Sequence, residues 1–133
     1  MVPYRIVLAD HSAPLREGLK RILKEESNIE VVGEAGNDSD LLNVLRLSKL
    51  APDMIILDAS MPNFYGTEAI HKVKTIYPDV KVLVLSMYKD KEYLNQAISN
   101  GAEGYLLKET ADRELLPAIE MIMQGRLYVP PLL

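Results

Sequence analysis

The chain has 133 residues, 48% of them hydrophobic and 26% charged, which suits one globular domain with a proper core and excludes a disordered chain. A net charge of -4 and a pI near 5.2 exclude a basic nucleic-acid footprint within these residues. The absence of cysteine excludes disulfides, thiol catalysis and cysteine-based zinc sites. The opening MVPYRIVLAD lacks the basic segment and apolar core of a signal peptide, and no apolar run approaches membrane-spanning length, so a cytoplasmic domain without membrane contact is expected.

Tyr4 to Ala9 is an apolar run without alternation, the mark of a strand buried on both faces of a parallel sheet. It runs into Asp10-His11-Ser12, where Ser12 is a helix cap and Pro14 tolerates a first turn. Leu15, Leu19, Ile22 and Leu23 then repeat at helical spacing. Ile29 to Glu34 reads as a second strand, followed by a helix started at Asn37-Asp38 with Leu41, Leu42 and Leu45 inward. The third strand, Met54 to Leu57, carries straight into Asp58. A turn-rich stretch follows, then a helix from Thr67 to Ile76 with Ala69, Ile70, Val73 and Ile76 facing in.

Val80 to Ser86 is a fourth strand, ending at a hydroxyl, and Lys91 to Asn100 a fourth helix, stopped by Asn100-Gly101. Tyr105 to Leu107 is a short fifth strand ending at Lys108, and Ala111 to Gln124 the last helix. Pro117 falls inside that helix, at a cost of ~3 kcal/mol in a regular interior, which predicts a bend or a late start. Residues 1–125 are therefore read as the domain and 126–133, RLYVPPLL, as the start of a linker or tail.

Strands alternating with helices through short loops imply an α/β fold, a parallel five-stranded sheet with helices on both faces. In such sheets the site lies beyond the carboxyl ends of the strands. Asp10, Asp58, Ser86 and Lys108 all fall there. Singly, each has an ordinary explanation: a cap, a turn hydroxyl, a solvated ammonium. Together they suit phosphoryl transfer to a carboxylate. On that chemistry Asp58 would be the nucleophile, Mg²⁺ would bridge protein and phosphoryl oxygens, and Lys108 and Ser86 would stabilise charge. A nucleotide-binding domain is the weaker reading, since neither GxGxxG nor GxxxxGK[ST] occurs.

The segments RIVLAD…PLREGL, VVGEA, PDMIILDASMP…G, VLVLSMY, NGAEGYLLKE and ELLPAI…G…YVP resemble the response-regulator receiver domain of two-component signalling, of the LuxR/NarL type. The resemblance implies a three-layer, doubly wound (βα)5 flavodoxin-like fold with strand order 2-1-3-4-5. It implies that a histidine kinase phosphorylates Asp58, and that Mg²⁺ is held by Asp10, Asp58 and the Ser60 backbone carbonyl. It implies Lys108 as the family's lysine and Ser86 with Tyr105 as the switch pair, Tyr105 turning inward on phosphorylation. Catalysis is limited to the domain's own phosphorylation and dephosphorylation, so the chain is not otherwise an enzyme. A homodimer, and DNA contact only through a helix-turn-helix domain outside this chain, are the expected partners.

There are departures from the pattern. His11 stands where the family has a second acidic residue that ligates the metal, and imidazole is a poor ligand for Mg²⁺. That opens an alternative, a phosphate-independent protein-interaction module. Tyr65 precedes Gly66 where an acidic residue is usual, and Glu109 replaces a common proline after Lys108.

Overall fold

The computed structural model describes residues 2–47, 51–59, 68–87, 89 and 91–130. Five parallel strands form one sheet in the order β2-β1-β3-β4-β5. They are β1 (Tyr4–Ala9), β2 (Ile29–Ala35), β3 (Met54–Asp58), β4 (Lys81–Ser86) and β5 (Gly104–Leu107). The helices between and after them are α1 (Ala13–Lys24), α2 (Asp38–Leu47), α3 (Glu68–Ile76), α4 (Lys91–Ser99) and α5 (Ala111–Met123). A 3-10 turn, Lys108–Thr110, joins β5 to α5.

The period of two along each strand sorts the core into two layers. Val7, Ile55, Leu57, Val82, Val84 and Tyr105 meet Leu41, Leu45, Ile70, Val73 and Leu94 from α2, α3 and α4. Ile6, Leu8, Ile56, Leu83, Leu85 and Leu106 meet Leu19 and Leu23 of α1 and Leu115, Ile119 and Ile122 of α5. All five residues of β3 and the last five of β4 are buried, so the central strands lack polar alternation because neither face sees water.

Local chemistry sets the helix ends. The Ser12 hydroxyl accepts from the Leu15 N–H at 3.3 Å and caps α1, with Pro14 in the first turn. Gly101, at φ 107°, takes the left-handed position after α4, and the Ala102 N–H reaches back to the Ala97 carbonyl at 3.1 Å. The regular part of α5 begins at Ala111, ahead of Pro117, so the expected late start is not what the helix does. Ile76 is 50% exposed rather than inward, because α3 ends there and Tyr77 packs against the core instead.

After α5 the chain turns at Gly125 (φ 83°) and comes back to β5. The Tyr105 N–H donates to the Tyr128 carbonyl at 3.0 Å, and the Tyr128 N–H donates to the Glu103 carbonyl at 3.1 Å. Gly104 lies at this crossing. A Cβ there would sit 2.8 Å from both Ile122 Cδ1 and Leu83 Cδ1, so any larger residue would require those two side chains to shift.

Candidate functional site

The carboxyl ends of β1, β3, β4 and β5 converge on one edge of the sheet and carry the polar residues that are buried there. Asp58 closes β3 and is 0% exposed; Asp10, just after β1, is 1% exposed. Lys108, first residue after β5, lies with Nζ 3.1 Å from Asp10 Oδ2 and 3.1 Å from Asp58 Oδ1. One ammonium therefore bridges two carboxylates that would otherwise repel each other in a water-poor setting. Ser86, at the end of β4, is buried and in register with Leu107, next to that lysine.

The loop after β1 is fixed by its own backbone. The Ser12 N–H donates to Asp10 Oδ1 at 2.8 Å, and the Arg16 guanidinium donates to the Asp10 carbonyl. Arg16 is itself held by Glu34 Oε1 at 3.1 Å, and Lys20 reaches Glu34 Oε2 at 2.9 Å. The hydrogen bond from Lys20, helped by Arg16 and opposed by burial, holds the Glu34 carboxyl below its ordinary range. The hydrogen bond to Glu17 first, and that to Glu34 second, raise Lys20.

His11 turns inward from this loop. Its Nδ1 lies 2.7 Å from Asp58 Oδ2 and 3.7 Å from Asp10 Oδ1. A carboxylate can only accept, so the imidazole donates its Nδ1 proton to Asp58. Asp58 thus has Lys108 on one oxygen and His11 on the other.

Asp10, His11 and Asp58 each offer one donor atom, all within 4.8 Å of one another. Asp10 Oδ2 is buried without a hydrogen-bond partner; Lys108 lies near it as a charge, outside hydrogen-bond geometry. These residues fit a divalent cation, with two hard oxygen donors and one borderline nitrogen. Ser60, expected to add a carbonyl, and the stretch holding Met61, Pro62, Asn63, Phe64, Tyr65 and Gly66 lie outside the described residues.

Tyr105 is fully buried. Its ring lies 6.4 Å from that of Tyr93 at 59°, and the Tyr93 hydroxyl donates to the Ala59 carbonyl, next to Asp58, at 3.3 Å. Tyr93 and Arg16 are site neighbours that helix periodicity alone gave no reason to select. On the far side of Lys108, the Thr110 hydroxyl donates to Glu114 Oε2, and the Tyr128 hydroxyl donates to Glu114 Oε1 at 3.1 Å.

The family model for the response regulator receiver domain matches residues 6–120. The transcriptional regulatory protein DegU of Brevibacillus brevis is 39% identical over 127 residues, covering 96% of this chain and 53% of that protein. The chain thus spans about half the length of this curated relative. The RcsB response regulator of Salmonella typhimurium superposes with a TM-score of 0.91 at 27% identity, over 99% of this chain and 65% of that one. The receiver domain of a NarL response regulator from Mycobacterium tuberculosis superposes at 0.85 and 29% identity, over 95% of this chain and 100% of that one. With more than half of its length matched by the family model and its topology shared with these neighbours, the chain belongs to the response regulator receiver domains of two-component signalling.

Proposed function

We propose that this domain is a phosphorylation-driven switch whose phosphoacceptor is Asp58. The observation that carries the reading is the burial of Asp58 at the sheet edge, with Lys108 shared between it and Asp10. One Asp58 oxygen attacks the phosphorus of a kinase phosphohistidine. The new O–P bond forms as the P–N bond breaks, and its electron pair leaves with the donor imidazole. Lys108 then turns from a carboxylate partner to a partner of the phosphoryl oxygens. Ser86 donates to another of them.

Asp10, Asp58 and the Ser60 carbonyl would hold a divalent cation, Mg²⁺ on the family pattern, which would supply positive charge against the phosphoryl oxygens. Tyr105 is already buried, so Ser86 drawn toward the phosphoryl group would act by holding Tyr105 in that inward position. The face made by α4, β5 and α5 follows as a population shift between two states. The partners on this reading are a sensor histidine kinase, a second copy of the chain, and DNA through an effector domain. The name of DegU, a transcriptional regulatory protein of which the chain covers 53%, supports the last of these.

A second reading is favoured by one contact, the His11 imidazole seated on Asp58 Oδ2. It makes the fold a phosphate-independent interaction module. Incubation with a small phosphodonor and Mg²⁺, followed by intact mass, separates the two. The switch reading expects a gain of one phosphoryl group that Asp58→Asn abolishes. No Asp58-dependent gain, together with silence of the residues around Asp58 to millimolar Mg²⁺ by NMR, would establish the module reading instead.

A further inference from the structure

We infer that the cation site selects a divalent first-row transition ion over Mg²⁺, with His11 Nδ1 as its nitrogen ligand. The inference rests on the reading of Asp10 and Asp58 as the cation carboxylates and departs from it on the identity of the ion. His11 does not merely lie near the acids. Its Nδ1 points between them, 2.7 Å from Asp58 Oδ2 and 3.7 Å from Asp10 Oδ1. Neighbouring ligand atoms on a first-row ion, each about 2.1 Å from the metal, stand roughly 3 Å apart, so the spacing suits shared coordination. All three donor atoms fall within 4.8 Å of one another.

One further feature points to a ligand. Asp10 Oδ2 is buried and lacks a hydrogen-bond partner, the Lys108 ammonium 3.1 Å away lying outside hydrogen-bond geometry, and a cation would satisfy it. The loop that carries His11 is held at Asp10, by the Ser12 N–H on its Oδ1 and the Arg16 guanidinium on its carbonyl. The His11 side chain keeps 46% exposure, which leaves it room to trade its Asp58 hydrogen bond for a metal.

The chemistry of the donor set then decides the ion. Mg²⁺ prefers oxygen and gives up its water reluctantly, so an imidazole in place of a carboxylate costs it both a favoured donor and a charge. Mn²⁺ and its later neighbours accept carboxylate and imidazole together, and their affinity for nitrogen rises along the row.

The test uses the intact chain with Mn²⁺ and Mg²⁺ as probes. Electron spin echo modulation on the Mn²⁺ form should show one coordinated nitrogen, absent in His11→Ala. Calorimetric titration should give Mn²⁺ roughly tenfold or more tighter than Mg²⁺. His11→Asp should narrow that ratio by gaining Mg²⁺, and His11→Ala should lose Mn²⁺ without gaining Mg²⁺. Absence of the nitrogen signal, or His11→Ala binding Mn²⁺ as well as the parent, overturns the inference. If the nitrogen signal is absent while Asp58 still gains a phosphoryl group in Mg²⁺, only the metal assignment falls. If the nitrogen ligand is present but Asp58 gains nothing in either ion, the phosphoacceptor reading falls alone.

Discussion

Lys108 holds the charge balance of the site, because its ammonium is within 3.1 Å of one oxygen on each of two almost fully buried carboxylates. Removing it leaves Asp10 and Asp58 facing each other with less compensation. Breaking a buried ion pair from one side costs about 3–5 kcal/mol, and a mostly buried lysine at 14% exposure belongs near the lower end. Lys108→Met should therefore lower stability by about 3 kcal/mol in urea denaturation. The cost should shrink in the Asp58→Asn background, where one of the two charges is gone. Equal costs in both backgrounds would show that the bridge contributes nothing.

The sequence made the members of this cluster legible because each terminates a strand, and strand ends of a parallel sheet share an edge. It did not reveal the direction of His11, which depends on a side-chain rotation, or the role of Arg16. Arg16 reads as a solvated charge on α1 until β2 brings Glu34 beside it.

Among the elements, α5 departs furthest from local preference. Its helix runs from Ala111 to Met123 with Pro117 in the interior, where the ring supplies no N–H for the carbonyl one turn earlier. Packing of Leu115, Ala118, Ile119 and Ile122 against the sheet offsets that cost. Pro117 is itself exposed, so its replacement leaves this packing intact. Pro117→Ala should stabilise by about 1–3 kcal/mol, the helix gain exceeding the lost rigidity of the unfolded chain. A rise in the midpoint of thermal unfolding checks it; a fall would mean that the proline fits a conformation alanine disfavours.

Helix and strand positions were readable from periodicity, since buried strands and amphipathic helices announce themselves. The inward placement expected of Ile76 was not met because periodicity does not say where a helix stops. One residue further on, Tyr77 takes the core contact instead.

At the scale of the whole molecule, the Arg16–Glu34–Lys20 group ties α1 to β2 and gives stability a pH dependence. The Glu34 carboxyl lies below its ordinary value of 4.5, so its contribution is present above that value and is lost as pH falls through the lower folded value. Lys20 lies above 10.5, so its contribution is present below that value and is lost as pH rises through the higher folded value. Glu34→Gln should thus lower stability at neutral pH and flatten the acid limb of a stability-versus-pH curve measured by denaturation. An unchanged acid limb would exclude Glu34 as its source.

The sheet order was legible as a whole because alternation of strands and helices admits few topologies. The return of the chain at Tyr128 was not, since nothing in Leu127-Tyr128-Val129 names its partner. Burial first, and Glu114 second, push the Tyr128 phenol up to about 12.

That docking has a bearing on solubility. A last strand with bare amides and carbonyls is a template for adding strands from other molecules, the route by which sheets aggregate. Here the chain covers its own margin, with the Tyr128 carbonyl on the Tyr105 amide and the Tyr128 amide on the Glu103 carbonyl. A domain boundary drawn at Gly125 would leave the Tyr105 amide and Glu103 carbonyl without these partners, whereas one drawn past Pro130 keeps both paired.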